Sequence, residues 1–310
     1  MPCFNAERYV KRSLESVFCQ TYDVKQIICV NDGSTDGTLP ILKEIKDSGG
    51  AITIISQPNA GASAARNNGL RRVSAEYVQF LDSDDLLEPT KLEHQAGLIE
   101  QAESRPDLIA AASKSVFVDQ PARPPAVNNI HPDEWTGLVL SGLGITSSNL
   151  WKTSTVRSVG AWDEAWSPSD DAELMFRMLK SGAHVLRDSH VLTTLQRQND
   201  SLSNRDAVAS AKAWLELRSE IYHYLSANDL LTPEREQTLL KTAYFRLHML
   251  AEEEPKTAIK WHRELIPRDY IPDDPWLGLG RVYVLLYRLF GFSRAEQLHR
   301  YWLRLRRLFA

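Results

Sequence analysis

Three carboxylates crowd four positions at Asp82-Ser83-Asp84-Asp85, directly after the apolar run Tyr77-Val78-Gln79-Phe80-Leu81. Charges this close push one another toward the protonated state unless a cation or a donor-rich ligand sits among them. Hard oxygen donors with no neighbouring His or Cys pair suit Mg²⁺ or Mn²⁺, and Mg²⁺ commonly completes its shell with phosphate oxygens and water. Capping of a helix expected to start near Pro89 or Thr90 is the competing reading. A carboxylate cluster at the end of an apolar strand favours a site, because open α/β sheets gather ligands at the carboxyl ends of their strands.

Three further places carry the same kind of chemistry. Asp32 ends the apolar stretch Gln26-Ile27-Ile28-Cys29-Val30 and would lie level with Asp82 if the two strands share a sheet, whereas Asp36 reads as the cap of the helix that follows. Arg66 is the one long cation in its turn of a helix built from Ala, Ser, Asn and Gly, residues small enough for a ligand to approach. Its planar fork of donors suits a diphosphate. Asp170-Asp171 opens a helix beside Trp162 and Trp166, where capping explains one Asp. The second, Asp171, is a candidate general base, since partial desolvation raises a carboxylate pKa toward the range useful for proton abstraction.

The elements that must hold these residues alternate. Helical spacing over residues 6–20, a buried-type strand over 26–30 and a helix over 39–46 come first. A strand over 51–56, a small-residue helix over 57–70 and the acidic strand over 76–81 follow, then a helix over 90–102 and a strand over 107–118. This order implies a mostly parallel, twisted α/β sheet flanked by helices. The Pro-rich residues 120–125 read as a surface loop, and 135–151, with its polar run Thr146-Ser147-Ser148-Asn149, as an acceptor-side loop before a short strand.

Composition narrows the class. A net charge of −4 on 310 residues offers no general field for nucleic acid. Cys3, Cys19 and Cys29 have no metal-ligand spacing and read as reduced thiols. No apolar run reaches the ~20 residues a membrane helix needs, and no signal-peptide pattern is present. A cytoplasmic location is expected, with peripheral attachment to the inner face of the cytoplasmic membrane as its variant.

With these residues in place, the chain resembles a family 2 inverting glycosyltransferase of the GT-A fold over about residues 2 to 203. Four features occur in the family's order: Pro-Cys-Phe-Asn at Pro2 to Asn5, Val-Asn-Asp-Gly-Ser-Thr-Asp at Val30 to Asp36, Gly-Ala-Ser-Ala-Ala-Arg-Asn at Gly61 to Asn67, and Leu-Asp-Ser-Asp-Asp at Leu81 to Asp85. The resemblance implies a nucleotide-diphospho-sugar donor, with UDP-sugar favoured, and a glycan or lipid-linked acceptor in cell-surface polysaccharide synthesis. Asp32 would then bind the uracil or ribose side, Arg66 the diphosphate, and Asn5 would belong to the same donor site. Asp82 and Asp84 would form the metal-binding Asp-x-Asp, with Asp84 the direct ligand of Mn²⁺ or Mg²⁺. Asp170-Asp171 would fill the family's Glu-Asp position, and Asp171 would deprotonate the acceptor.

Two departures stand out. Relatives carry an apolar strand before the Pro-x-x-Asn element, in the middle of the sheet. Here the chain opens at Met1-Pro2, so either the true start lies upstream or another segment fills the gap. Relatives also place Arg and then His before a Ser-x-Ser; here Gln196 and Gln198 stand in roughly those places with Arg197 between them. Metal or leaving-group grip is expected to be weaker, or Arg197 to substitute.

Beyond residue 203 the alternation stops, which divides the chain into a catalytic domain over 1–203 and a helical region over 204–310. Helical patterns cover 207–225 and 232–252, the second opening on Thr232-Pro233-Glu234. Residues 276–310 combine Arg300, Arg304 and Arg307 with Leu298, Tyr301, Trp302, Leu305 and Leu308, a pattern for an anionic membrane surface or for packing against protein. The non-enzyme alternative is a catalytically degenerate glycan-binding or scaffolding subunit of a glycan-assembly complex.

Overall fold

The computed structural model describes residues 1–23, 26–166, 169–197, 207–272 and 280–308. It divides into two compact units, Met1–Ser201 and Leu202–Ala310. The boundary expected after residue 203, and Gln198 with it, lies outside the described residues.

In the first unit, β1 (Pro2–Cys3), β2 (Ile27–Asp32) and β3 (Ile52–Gln57) form a parallel ladder in that order. Both faces of β2 are covered, and its period-two alternation sorts the side chains. Cys29 packs with Cys3, Leu42 of α2 (Thr38–Asp47), and Val10 and Leu14 of α1 (Val10–Phe18). Ile28 and Val30 turn the other way, onto Ala65 of α3 (Ala62–Leu70). The Met1 ammonium donates to Ile28 O at 2.8 Å. No described strand pairs with the far edge of β1.

The remaining strands form two mixed sheets. One runs β10 (Val185–Asp188), β6 (Leu108–Ala111), β9 (Leu150–Lys152), β4 (Tyr77–Val78). The other runs β5 (Leu86–Leu87), β11 (Thr193–Arg197), β7 (Ser113–Phe117), β8 (Ala126–Asn128). Helices α4 (Lys91–Gln101), α5 (Glu134–Leu140), α6 (Thr153–Ser158) and α7 (Asp170–Lys180) complete the unit. This is the expected α/β class with flanking helices.

Several local expectations are corrected. The strand expected over 76–81 is only two residues of β4, because Phe80 and Leu81 leave the ladder to bury themselves, Phe80 edge-on to Trp162 at 5.2 Å. Strands β2 and β4 belong to different sheets, so Asp32 and Asp82 are not level ends of one ladder. The strand expected over 107–118 breaks at Ala112, whose N–H donates to Asp188 O at 2.9 Å, and its two halves enter different sheets. The helix expected over 57–70 begins only at Ala62, after Gly61 takes φ +92°, a value glycine reaches without strain. Residues 135–151 contain α5, and their polar run Thr146–Asn149 is buried rather than an open loop.

The second unit is helical: α8 (Ala207–Ala227), α9 (Pro233–Glu253), α10 (Pro255–Leu265) and α11 (Arg281–Leu308). Thr232 caps α9 by accepting from Arg235 N at 3.3 Å. Gly291, at φ +72°, interrupts the helical backbone of α11. Trp214, Tyr244, Leu247, Tyr283, Tyr287 and Phe292 lead its core. Val282, Leu285 and Leu289, three and four positions apart on α11, are exposed. No helix among the described residues is long and apolar enough to cross a membrane.

Candidate active site

The acidic turn is pinned from three directions. Asp82 N donates to Ser147 Oγ at 3.1 Å, and Asp85 N closes the turn onto Asp82 O at 3.1 Å. Ser13 Oγ of α1 donates to Asp85 O at 2.7 Å, and Gln196 N of β11 to Asp85 Oδ1 at 3.2 Å. Gln196 Nε2 also donates to Asp84 O. Burial, and then Asp82, push the Asp84 carboxyl up to about 6, with Arg197 pulling it down. Burial also holds Asp85 well above the usual carboxylate range, with Asp82 and Asp84 adding to the shift. Oxygen donors crowded in this way could hold a hard divalent cation, Asp84 and Asp82 being the pair the sequence nominates.

Arg66 is the hub. Only 7% exposed, it donates from Nη2 to Asp82 Oδ1 and from Nη1 to Asp170 Oδ2, both at 2.7 Å. Its guanidinium lies over the Trp162 ring at 4.5 Å, and its buried Nε has no hydrogen-bond partner among the described residues. Burial alone would lower its pKa, but Asp82 and Asp170 more than reverse that and hold it charged. The small residues of α3 let this happen: Ser63 Oγ reaches Asp170 Oδ2 at 2.8 Å, and Asn67 exchanges hydrogen bonds with the Trp162 backbone. Two of the five donors of the fork expected to grip a diphosphate are thus engaged by carboxylates in this structure.

Asp171 begins α7 beside this hub. Its Oδ1 accepts from Ala172 N at 2.8 Å. Burial, and then Asp170, raise its carboxyl to about 6, while the Ala172 amide and Arg66 oppose the rise. Asp170, Asp171, Arg66, Asp82 and Asp84 thus form one electrostatic group.

Asp32 and Asn5 lie in an adjoining loop system. The buried Asp32 carboxylate accepts from Ala60 N and Gly61 N at 2.9 Å and from Gln57 Nε2 at 2.8 Å, fixing the turn that enters α3. Gly33 is required beside it, since a Cβ there would meet Asn59 N at 2.6 Å. Asn5 takes φ +48°, and its Oδ1 accepts from Thr35 N at 2.9 Å. Asp36 is not the cap expected of it: Gly37 holds the N-cap position of α2 with no side-chain cap bond, and Asp36 Oδ1 accepts from Thr38 N at 3.0 Å in the turn before the helix. Arg197 Nε donates to Ser115 Oγ at 3.4 Å. Ser63 and Ser147 were missed by sequence reasoning. The unusual polar run over 146–149 was the available signal for Ser147, and nothing distinguished Ser63.

Residues 1–136 match the glycosyl transferase family 2 model. A 93-residue stretch, 30% of the chain, is 46% identical to glycosyltransferase GlyA of Streptococcus pneumoniae, and it spans 13% of that protein. An uncharacterised glycosyltransferase of Rickettsia typhi is 25% identical over 74% of the chain and 73% of its own length. Among solved structures, Staphylococcus aureus TarS 1–349 in complex with UDP-GlcNAc superposes with a TM-score of 0.65 at 17% identity, covering 96% of this chain and 90% of that one. The mannosyltransferase PcManGT of Pyrobaculum calidifontis, in complex with GDP-Man and Mn²⁺, gives 0.55 at 16% identity, covering 96% and 83%.

Proposed function

Because residues 1–136 carry a glycosyl transferase family 2 domain on a GT-A fold, we propose that the chain moves one sugar, with inversion, from a nucleotide-diphospho-sugar to an acceptor hydroxyl. The observation that carries this reading is the Arg66 bridge between Asp82 and Asp170, which draws the acidic turn and the start of α7 together. UDP is the favoured base carrier, since TarS binds UDP and UDP-GlcNAc.

Each residue has a role in the proposal. Asp171, ionised above about pH 6, takes the proton from the acceptor hydroxyl. The acceptor oxygen then forms its bond to the anomeric carbon on the face opposite the diphosphate, as the bond to the leaving phosphate oxygen breaks with its electron pair. Asp84 and Asp82 would hold Mn²⁺ or Mg²⁺, and the ion when bound would supply stabilisation for the departing diphosphate. Arg66 acts as a positioning residue that sets the spacing of Asp82 and Asp170. Asp32 and Asn5 shape the nucleoside side through the turns they hold, and Arg197 stands in for the family's His beside Asp84.

A glycan or lipid-linked acceptor in cell-surface polysaccharide synthesis fits the exposed apolar side chains of α11, which suit peripheral contact with the anionic cytoplasmic face of a membrane. The test is manganese-dependent release of nucleoside diphosphate from a panel of nucleotide-sugars by the native chain, Asp84→Ala and Asp171→Asn. Each variant should lose about 100-fold or more. Equal rates in all three would leave the scaffolding alternative standing and remove the enzyme.

A further inference from the structure

A second cluster, sharing no residue with the group around Arg66, joins α4 to the end of β10. His94 Nε2 lies 3.1 Å and His190 Nδ1 2.9 Å from Asp188 Oδ1, and one potential ligand atom from each residue falls within 4.8 Å of the others. The imidazole rings stand 4.2 Å apart, centre to centre. Among the described residues no other group of three His, Cys, Asp or Glu side chains converges this closely.

Hydrogen bonding alone accounts poorly for the arrangement. Asp188 Oδ1 also accepts from His190 N at 3.0 Å, so three donors converge on one oxygen. The other oxygen, Oδ2, is buried with no hydrogen-bond partner among the described residues. A carboxylate oxygen so left carries a desolvation penalty. Lys91, one helical turn before His94, could have supplied a donor, but its Nζ is turned to Gln79 Oε1 at 2.5 Å and Gln95 Oε1 at 2.8 Å.

The geometry points to a binding site for a divalent transition-metal ion of the zinc class, held by His94 Nε2, His190 Nδ1 and the Asp188 carboxylate. Two imidazoles and a carboxylate are a zinc donor set, unlike the all-oxygen set at Asp82 and Asp84. Bonds of about 2.0–2.1 Å at tetrahedral angles place ligand atoms roughly 3.3 Å apart, so the two nitrogen–oxygen separations, 3.1 and 2.9 Å, need open by only a few tenths of an ångström. Asp188 is anchored through its backbone carbonyl, which accepts from Ala112 N, and the His190 side chain is 62% exposed, so water can reach a fourth position. The ion would staple α4 to the segment that leads into β11, the strand whose Gln196 touches the acidic turn. The site does not depend on the proposed transferase activity.

The test is Zn²⁺ titration of the chelator-stripped full chain against a chromophoric competitor, with Co²⁺ absorption as the readout of coordination. One ion per chain should bind in the tight phase, with the visible bands of nitrogen-ligated, four-coordinate cobalt, separate from any weaker binding at the all-oxygen set. His190→Ala, a change at an exposed side chain, should weaken binding by about 100-fold or more, at least what loss of an outer-shell partner does, with an unchanged circular dichroism spectrum. His94→Ala should do the same, whereas Asp84→Ala should bind Zn²⁺ like the native chain. Equal affinity in native chain and His190→Ala, loss of binding in Asp84→Ala, or no Zn²⁺ bound by the native chain would each overturn the assignment.

Discussion

Lys91 is wholly buried at the first turn of α4, and burial lowers its pKa to about 7, with Asp188 pulling the other way. In the unfolded chain a lysine titrates near about 10.4. A base whose folded pKa is depressed binds fewer protons folded than unfolded between those two values, so stability must rise with pH across that window. Taking about 7 and about 10.4 as the two pKa values, linkage gives a gain of about 2 kcal/mol between pH 7 and pH 9. Lys91→Met deletes the titrating group while keeping its length. It also strands the Gln79 and Gln95 carbonyl oxygens that the ammonium now satisfies, at about 1–3 kcal/mol each. Absolute stability is therefore a poor readout, and the pH dependence is a clean one. Urea unfolding of the full chain with EDTA, followed by pulsed hydrogen exchange at peptides from β6 and α7, should show the native chain gaining about 2 kcal/mol more than Lys91→Met over that interval. Other titrating groups are common to both proteins and cancel. Parallel pH dependence would refute the reasoning and mean that Lys91 reaches water or a counter-charge in the folded state.

Three further outcomes are expected. At saturating manganese, which keeps Asp84 ionised, kcat/KM for the proposed transfer should be flat above about pH 6 and fall below it as Asp171 takes up its proton; Asp171→Asn should abolish that limb along with most of the rate, and an unchanged limb would reassign the base. Gly144→Ala should destabilise the first unit by about 2–4 kcal/mol in urea, because the backbone sits at φ +74° and the new Cβ would lie 1.9 Å from the Oδ1 of buried Asn149; a loss under about 0.5 kcal/mol would contradict this. Flotation with anionic vesicles should recover the full chain, and Val282→Glu with Leu289→Glu, at side chains 71% and 63% exposed, should abolish it without changing the far-ultraviolet circular dichroism; equal flotation would end the membrane reading.

Long periodic segments carried most of the fold in the sequence. The apolar run at 26–30 and the helical spacing over 6–20 are local facts, and they became β2 (Ile27–Asp32) and the shorter α1 (Val10–Phe18), as the two long helical patterns became α8 and α9. What failed was non-local. Nothing near Phe80 says that its ring will leave a strand to meet Trp151 and Trp162, residues far along the chain from it. Ala112 looks like the middle of a strand until Asp188 O takes its N–H and turns the chain into a second sheet. Helix α5 is hidden because Gly137 within it, and Gly142, Gly144 and the polar run after it, suggest a loop, while tertiary burial of Leu138 and Val139 overrides that propensity.

The site divides along the same line, and Arg66 shows why. Residue type and small neighbours identify a cation placed where something negative must come close, and that much was legible. They do not say whether the negative group is a ligand or the protein's own side chain, because a guanidinium fork fits a diphosphate and two carboxylates equally well. The choice is made by Asp170, more than a hundred positions away, whose Oδ2 lies 2.7 Å from Nη1. With that contact in place, turning both guanidinium nitrogens to a donor phosphate would leave Asp82 and Asp170 without the cation that now pairs them. Its charge ties Asp82 and Asp170 together beside the acidic turn, and Asp84 and Asp171 are the two carboxyls of this group that burial raises to about 6.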